Sequence, residues 1–290
     1  MEIRDLFMSC GAGGVWLGLR RWDKGNKGDK GDKGNKGDKG DKGDGGRQDD
    51  RGTSPTRVWR RIAPSRARYC RLCARSKEPA ASMSIDFYTF NTPNGRKISV
   101  ALEEMELPYK VHVVNITKDQ QFEPSFLNLS PNNKIPAIVD QEGPGGAPLS
   151  VFESGAILLY LAEKTGKFLP KDLRAKVPVL EWLMFQMGGF GPMPGQVHHF
   201  IGLENEHDRR YGLARYSKET RRLYGVMDRR LTDREFFADE LSVADFAIIG
   251  WVWRHERHKV DLSEFPRVKR WYDAMMARPG TRRGFEVALS

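Results

Sequence analysis

From Ile85 to Phe90 apolar and polar side chains alternate around aromatic residues, a pattern that predicts a β-strand. The spacing changes to that of a helix from Gly95 to Glu106, with Ile98, Val100, Ala101, Leu102 and Met105 available for a core, and Leu107-Pro108 ends it. Tyr109 to Val114 reads as a second strand, followed by a polar loop through Gln121 and a short helical piece near Pro124 to Leu129. Ala137 to Val139 has the length and β-branching of a short buried strand; a Gly/Pro turn at Gly143 to Gly146 separates it from a fourth strand near Leu149 to Val151. Glu153 to Lys164 then has helical period and stops at Gly166. Beyond the linker Lys167 to Asp172 only helical spacing remains, near Leu173 to Gln186, Asp208 to Leu231, Val243 to Arg257 and Pro266 to Ala277. Gly188 to Met193 interrupts a helical segment, and Ser242-Val-Ala-Asp245 reads as a capping box with a structural role. Trp251, Trp253 and Trp271, and Tyr88 in mid-strand, read as core residues.

Composition changes this picture at the N-terminal end. The net charge of +10 suggests a nucleic-acid partner until it is divided: residues 1–82 carry +9 and the remainder +1. The basic character therefore belongs to a leader, and the nearly neutral body gives no reason to expect nucleic acid. Glycine recurs at every third position from Gly25 to Gly43, but without proline, so the tract reads as solvated and disordered rather than collagen-like. Acidic residues at Glu2 and Asp5 argue against a signal peptide, and no run approaches the roughly 18 apolar residues of a membrane span. Met83 immediately precedes the first strand and is expected to be the natural start. All three cysteines, Cys10, Cys70 and Cys73, lie in the leader, where Cys70-Arg-Leu-Cys73 reads as an incidental pair. The body holds no cysteine nucleophile, thiolate metal site or disulfide, so any thiol chemistry there needs a thiol supplied by the ligand.

Candidate chemistry gathers in two stretches. In Ser130 to Ser154, Ile135-Pro136 lies before a buried strand and is expected to be cis, which turns the Ile135 backbone outward to pair with an extended peptide. Glu153 and Ser154 open a helix and offer a carboxylate, a hydroxyl and free N–H groups to the same ligand, a set suited to a small peptide with an amine and a carboxylate. Thr92-Pro93-Asn94-Gly95 lies between the first strand and first helix, where open α/β sheets bind ligands and where a helix N-terminus favours a thiolate. The same four residues also read as an ordinary turn and N-cap. His198-His199, adjacent on a helix, point apart and make no metal site.

Together NKIPAIVD, FESGAILLYLAEKTG, TPNGRKISVALEE, GGFGPMPGQVHHF and SVADFAI closely resemble the glutathione transferase superfamily over Met83 to Ser290. Within it the chain is similar to the bacterial group with glutathione-disulfide reductase activity, sometimes called nu class, and to a yeast prion-forming nitrogen regulator. The resemblance implies a thioredoxin-like α/β domain (83–166), an all-α C-terminal domain (173–290) and a disordered leader (1–82). It implies a cytoplasmic homodimer that takes glutathione, reduced or as the disulfide, as co-substrate. Thr92 and Asn94 occupy the catalytic position and stabilise the sulfur without attacking. Gln121, Lys134, Ile135, Glu153 and Ser154 hold the tripeptide: Lys134 the glycine carboxylate, Ile135 by backbone pairing, Glu153 and Ser154 the γ-glutamyl end. Arg215 matches a ligand-contacting arginine, and His198, His199 and Phe200 suggest an acceptor wall. The implied activity is reduction of a small disulfide; conjugation of electrophiles and a non-catalytic glutathione-binding regulator are the alternatives.

Overall fold

Strand β1, Ile85–Thr89, buries Ile85, Phe87 and Thr89 completely, as its alternation dictates. It runs parallel to β2 (Tyr109–Val113) and antiparallel to β3 (Ala137–Asp140), which pairs antiparallel with β4 (Leu149–Phe152). The resulting sheet has the order β2-β1-β3-β4, the mixed thioredoxin-like topology expected. The structure, a computed structural model, describes residues 84–289. The leader, with its triplet tract, its Cys70/Cys73 pair and the proposed start at Met83, lies outside the described residues.

Helix α1 (Pro93–Met105) connects β1 to β2 and packs its apolar side on the sheet; Ile98, Val100, Ala101 and Leu102 are fully buried. It begins two residues before the expected Gly95, because Thr92 accepts a hydrogen bond from the Gly95 N–H at 3.1 Å and Pro93 sits at the first helical position. A four-residue α2 (Pro124–Leu127) follows, and α3 (Ser154–Thr165) covers the sheet with Ile157, Leu158 and Leu161 buried. Asp140 at the end of β3 accepts from Tyr160 Oη at 2.5 Å and pairs with Lys164 at 2.6 Å. These two contacts hold α3 against the strand that follows Ile135-Pro136.

The helical half consists of α4 (Leu173–Phe185), a π-helical turn at Gln186–Phe190, α5 (Pro192–Ile201), α6 (Glu206–Arg230), α7 (Val243–Val252), α8 (Pro266–Ala277) and α9 (Pro279–Glu286). The break expected at Gly188 to Met193 is thus a change from α to π geometry, with a helix resuming at Pro192. All ten residues of α7 are buried, which makes it the central helix of this half. It ends five residues short of the expected Arg257. The capping box at its start is present: Ser242 Oγ accepts from the Ala244 N–H, and Asp245 Oδ2 accepts from the Ser242 N–H at 3.0 Å. Gly250 is required for the approach of α7 to α1, since a Cβ there would lie 2.5 Å from the Pro93 carbonyl oxygen. Helix α9 fixes the other end of α1, where Glu104 accepts from both Arg278 and Thr281. Among the described residues no helix is long and apolar enough to cross a membrane.

Candidate active site

Asn94, Lys134, Ile135, Glu153 and Ser154 line one cavity of about 180 Å³, closed on one side by Met187 of the π turn. The first turn of α1, the loop before β3 and the N-terminus of α3 meet there, so five side chains spread over sixty positions of sequence share one hollow. Ile135-Pro136 is cis, as expected. The Ser130 hydroxyl donates to the Lys134 carbonyl at 2.7 Å and steadies the loop. Among the described residues no hydrogen bond uses the Ile135 N–H or carbonyl, which stay available to an added strand.

Glu153 caps α3 with φ 68° and ψ 115°, a conformation that costs a non-glycine residue of order 1–3 kcal/mol. Its carboxylate accepts from Asn132 Nδ2 at 3.1 Å and stays beside the cavity. Ser154, the first helical residue, is buried, and its Oγ accepts from Lys97 Nζ at 3.1 Å. Lys97 also donates to Gln186 Oε1 at 2.6 Å and lies 3.5 Å from Met187 Sδ. Lys97 is 1% exposed, and its ammonium has no carboxylate within ion-pair distance among the described residues. Burial lowers its pKa from 10.5 to about 7, with Glu153 opposing the shift. Gln186 Nε2 is buried without a hydrogen-bond partner among the described residues.

Lys97 and Gln186 escaped the reading of the sequence. The signal for Lys97 is its place in α1: positions three and four residues on, Val100 and Ala101, are core, so a lysine at 97 faces inward. Trp251 was assigned to the core and is buried, but its indole N–H donates to Asn94 Oδ1 at 2.9 Å, which joins it to the site. Trp271 is core; Trp253 is half-buried under the guanidinium of Arg254, 3.8 Å from its ring centre. Tyr88 is half-buried: it packs against a small apolar cluster of Val114, Phe126 and Ala137, stacks on His112 at 4.6 Å and lines a separate cavity of about 290 Å³.

The remaining candidates are not among the residues that line the cavity. Thr92 is the N-cap of α1 and does not line it, although its hydroxyl hydrogen remains free to donate. Gln121 sits on a short 3₁₀ turn, Gln120–Phe122, with its Oε1 buried and unpaired. Arg215 lines a larger groove of about 670 Å³ on α5 and α6, with Met193, Tyr211 and Arg222. His198 turns inward and His199 outward, and the described residues contain no group of side chains fit to hold a metal ion.

Comparison with known proteins identifies the family. Residues 92–164 match the family described as glutathione S-transferase, N-terminal domain, and residues 196–279 the glutathione S-transferase, C-terminal domain. The chain is 49% identical over 199 residues to the disulfide-bond oxidoreductase YfcG of Escherichia coli K12, covering 68% of this chain and 92% of that protein. A crystal structure of a glutathione transferase from Pseudomonas putida, with one glutathione disulfide bound per subunit, superposes with a TM-score of 0.68 at 45% identity, over 72% of this chain and 94% of that one. A family member from Pseudomonas fluorescens with two glutathione bound gives 0.67 at 44% identity, over 71% and 94%.

Proposed function

Because the chain belongs to the glutathione S-transferase family, we propose that it is a glutathione-dependent disulfide-bond oxidoreductase in which bound glutathione, rather than a protein cysteine, supplies the reacting thiol. The observation that carries this reading is the cavity at the first turns of α1 and α3. It joins an amide, a lysine, a carboxylate, a buried hydroxyl and a free backbone edge in a body without cysteine. Extended glutathione pairs with the Ile135 backbone, with its glycine carboxylate at Lys134, its γ-glutamyl amine at Glu153 and the adjoining carboxylate at Ser154. Gln121 adds a contact from its 3₁₀ turn, and Arg215 offers a cation to an anionic part of the disulfide substrate. The sulfur lies at the start of α1, where Asn94 and Thr92 donate to it and the helix N-terminus favours its anion.

The chemistry is two exchanges. The glutathione thiolate attacks one sulfur of the substrate disulfide; a new S–S bond forms as the old one breaks, and the departing thiolate takes a proton from solvent. A second glutathione thiolate attacks the mixed disulfide, releases the other substrate thiol and leaves glutathione disulfide. Two electrons pass from two glutathiones to one disulfide. The same reading makes the protein a cytoplasmic homodimer. Leu149 and Phe152 on edge strand β4, and Val177 and Met184 on α4, supply exposed apolar surface for a second copy.

Turnover of a small glutathionylated disulfide and of a chlorinated aromatic, measured in parallel on the full chain, tests this function. Disulfide reduction is expected to dominate, and Asn94→Ala to lower it about 100-fold, the usual loss for one anion-stabilising donor, with the fold intact. Absence of glutathione-dependent reduction in the unaltered chain overturns the function; unchanged turnover in Asn94→Ala removes the role of Asn94.

A further inference from the structure

A side-chain amide has two unlike ends, and only its NH₂ end can donate to a thiolate. In Asn94 the choice between them is made by a neighbour. Trp251 Nε1 lies 2.9 Å from the amide, and an indole nitrogen only donates, so the Asn94 atom facing it is the carbonyl oxygen. The NH₂ is the end left for the cavity that Asn94 lines. We propose that Trp251 is a positioning residue for the thiol chemistry: its indole N–H locks the Asn94 amide with the NH₂ presented to the sulfur of bound glutathione. The inference rests on the role of Asn94 proposed above and assigns to a second residue, on a different element, the task of making that role work.

The surroundings of Trp251 suit a fixed donor. Its ring stacks beside His198 and His258, at 5.8 and 6.1 Å between centroids, and those two imidazoles stack on each other at 4.6 Å. Burial pushes the pKa of His198 down to about 4 and that of His258 further, with Arg254 and Arg257 adding to both shifts, so the stack is uncharged at neutral pH. On the other side Gly191 leaves the indole nitrogen room, since a Cβ there would lie 3.3 Å from Trp251 Nε1 and 2.6 Å from Gln186 Nε2. With Gly250 holding α7 against the first turn of α1, the indole has little freedom to swing away from Asn94. Without the indole donor, the amide is free to turn its oxygen, which repels a thiolate, toward the sulfur.

The test compares Asn94→Ala, Trp251→Phe and the double variant in the full chain. It reads kcat/KM for disulfide reduction and the pKa of bound glutathione from the ultraviolet absorbance of its thiolate as a function of pH. Trp251→Phe, which keeps a ring in the stack, is expected to raise the bound thiol pKa by about one unit and lower kcat/KM about 10-fold, the loss of roughly one hydrogen bond. In the double variant the Trp251→Phe deficit should vanish, because nothing remains to position. An unchanged thiol pKa in Trp251→Phe, or deficits that add in the double variant, overturns the inference while leaving the function standing if Asn94→Ala is impaired. An unimpaired Asn94→Ala removes the premise instead. If Trp251→Phe does not fold, the indole N–H resonances of the chain's seven tryptophans provide the second reading. One of them must shift and exchange faster in Asn94→Ala, and a spectrum in which none moves overturns the proposal.

Discussion

Asp245 and Lys97 are both shut away from water and carry opposite formal charges, and the company each keeps separates scaffold from site. Asp245, at the start of α7, accepts from the Trp271 indole, the Ser242 N–H and hydroxyl and the Phe237 N–H, at 2.9 to 3.3 Å. Lys97 has two oxygen acceptors and a sulfur, no carboxylate in contact, and beside it a glutamine amide with an unpaired nitrogen. Burial draws both pKa values toward neutrality, Asp245 up to about 6 and Lys97 down to about 7. Asp245 is bonded wholly within the helical half, whereas two of the three groups that take the Lys97 donors, Ser154 and Met187, themselves line the candidate cavity.

Deleting each group should separate the two most strongly. Asp245→Ala strands three N–H donors in the core and is expected to cost on the order of 3 kcal/mol or more in urea unfolding, while the fraction that stays folded keeps its glutathione affinity. A loss below about 1 kcal/mol would place Asp245 outside the scaffold. Lys97→Met should show a different signature, in pH rather than in total stability. The lysine pKa is lower in the folded than in the unfolded chain, so the unfolded state binds more protons between about 7 and 10.5. The unaltered protein should therefore gain stability relative to Lys97→Met as pH rises through that window, and the full cost of the buried charge should be present below it. Parallel pH profiles in thermal melts would show that Lys97 stays charged without penalty. The smallest effect belongs to the caps. Thr92→Val is expected to cost about 1 kcal/mol of stability and Thr92→Ser, which keeps a capping hydroxyl, none, with the serine variant retaining reductase activity that the valine variant loses; equal activity in both would reduce Thr92 to a helix cap.

The sequence made the sheet legible because its signals are local. The alternation in β1, the Gly/Pro turn at Gly143 to Gly146 and the Ser242 to Asp245 box each act within a few residues. Five of the eight candidate residues proved to share a cavity, since each adjoins the start of a helix or the cis proline that shapes it. The Thr92-Pro93 pair also marked the start of α1, but the apolar spacing drew the predicted boundary to Gly95. Lys97, Gln186 and Trp251 were hidden for another reason. Their partners lie 57, 89 and 157 positions away, and long-range contacts of that kind leave no periodic trace in the residues themselves. The helix at Pro279–Glu286 was missed, and that at Pro192–Ile201 was recognised only around His198-His199, because prolines and glycines dilute their apolar spacing.

The π turn has a consequence for how this chain can change over generations. Its bond from the Gly191 N–H to the Gln186 carbonyl, at 2.8 Å, spans one residue more than an α-helical bond does. Loss of any single codon between 186 and 190 would restore the narrower coil and swing everything on one side of it by roughly 100°. Gln186 and Met187, which hold Lys97 and close the cavity, and the helix that resumes at Pro192 could then not both keep their present places. Single-residue deletions, usually harmless in surface loops, should thus be purged from this five-residue interval as strictly as substitutions of the site itself.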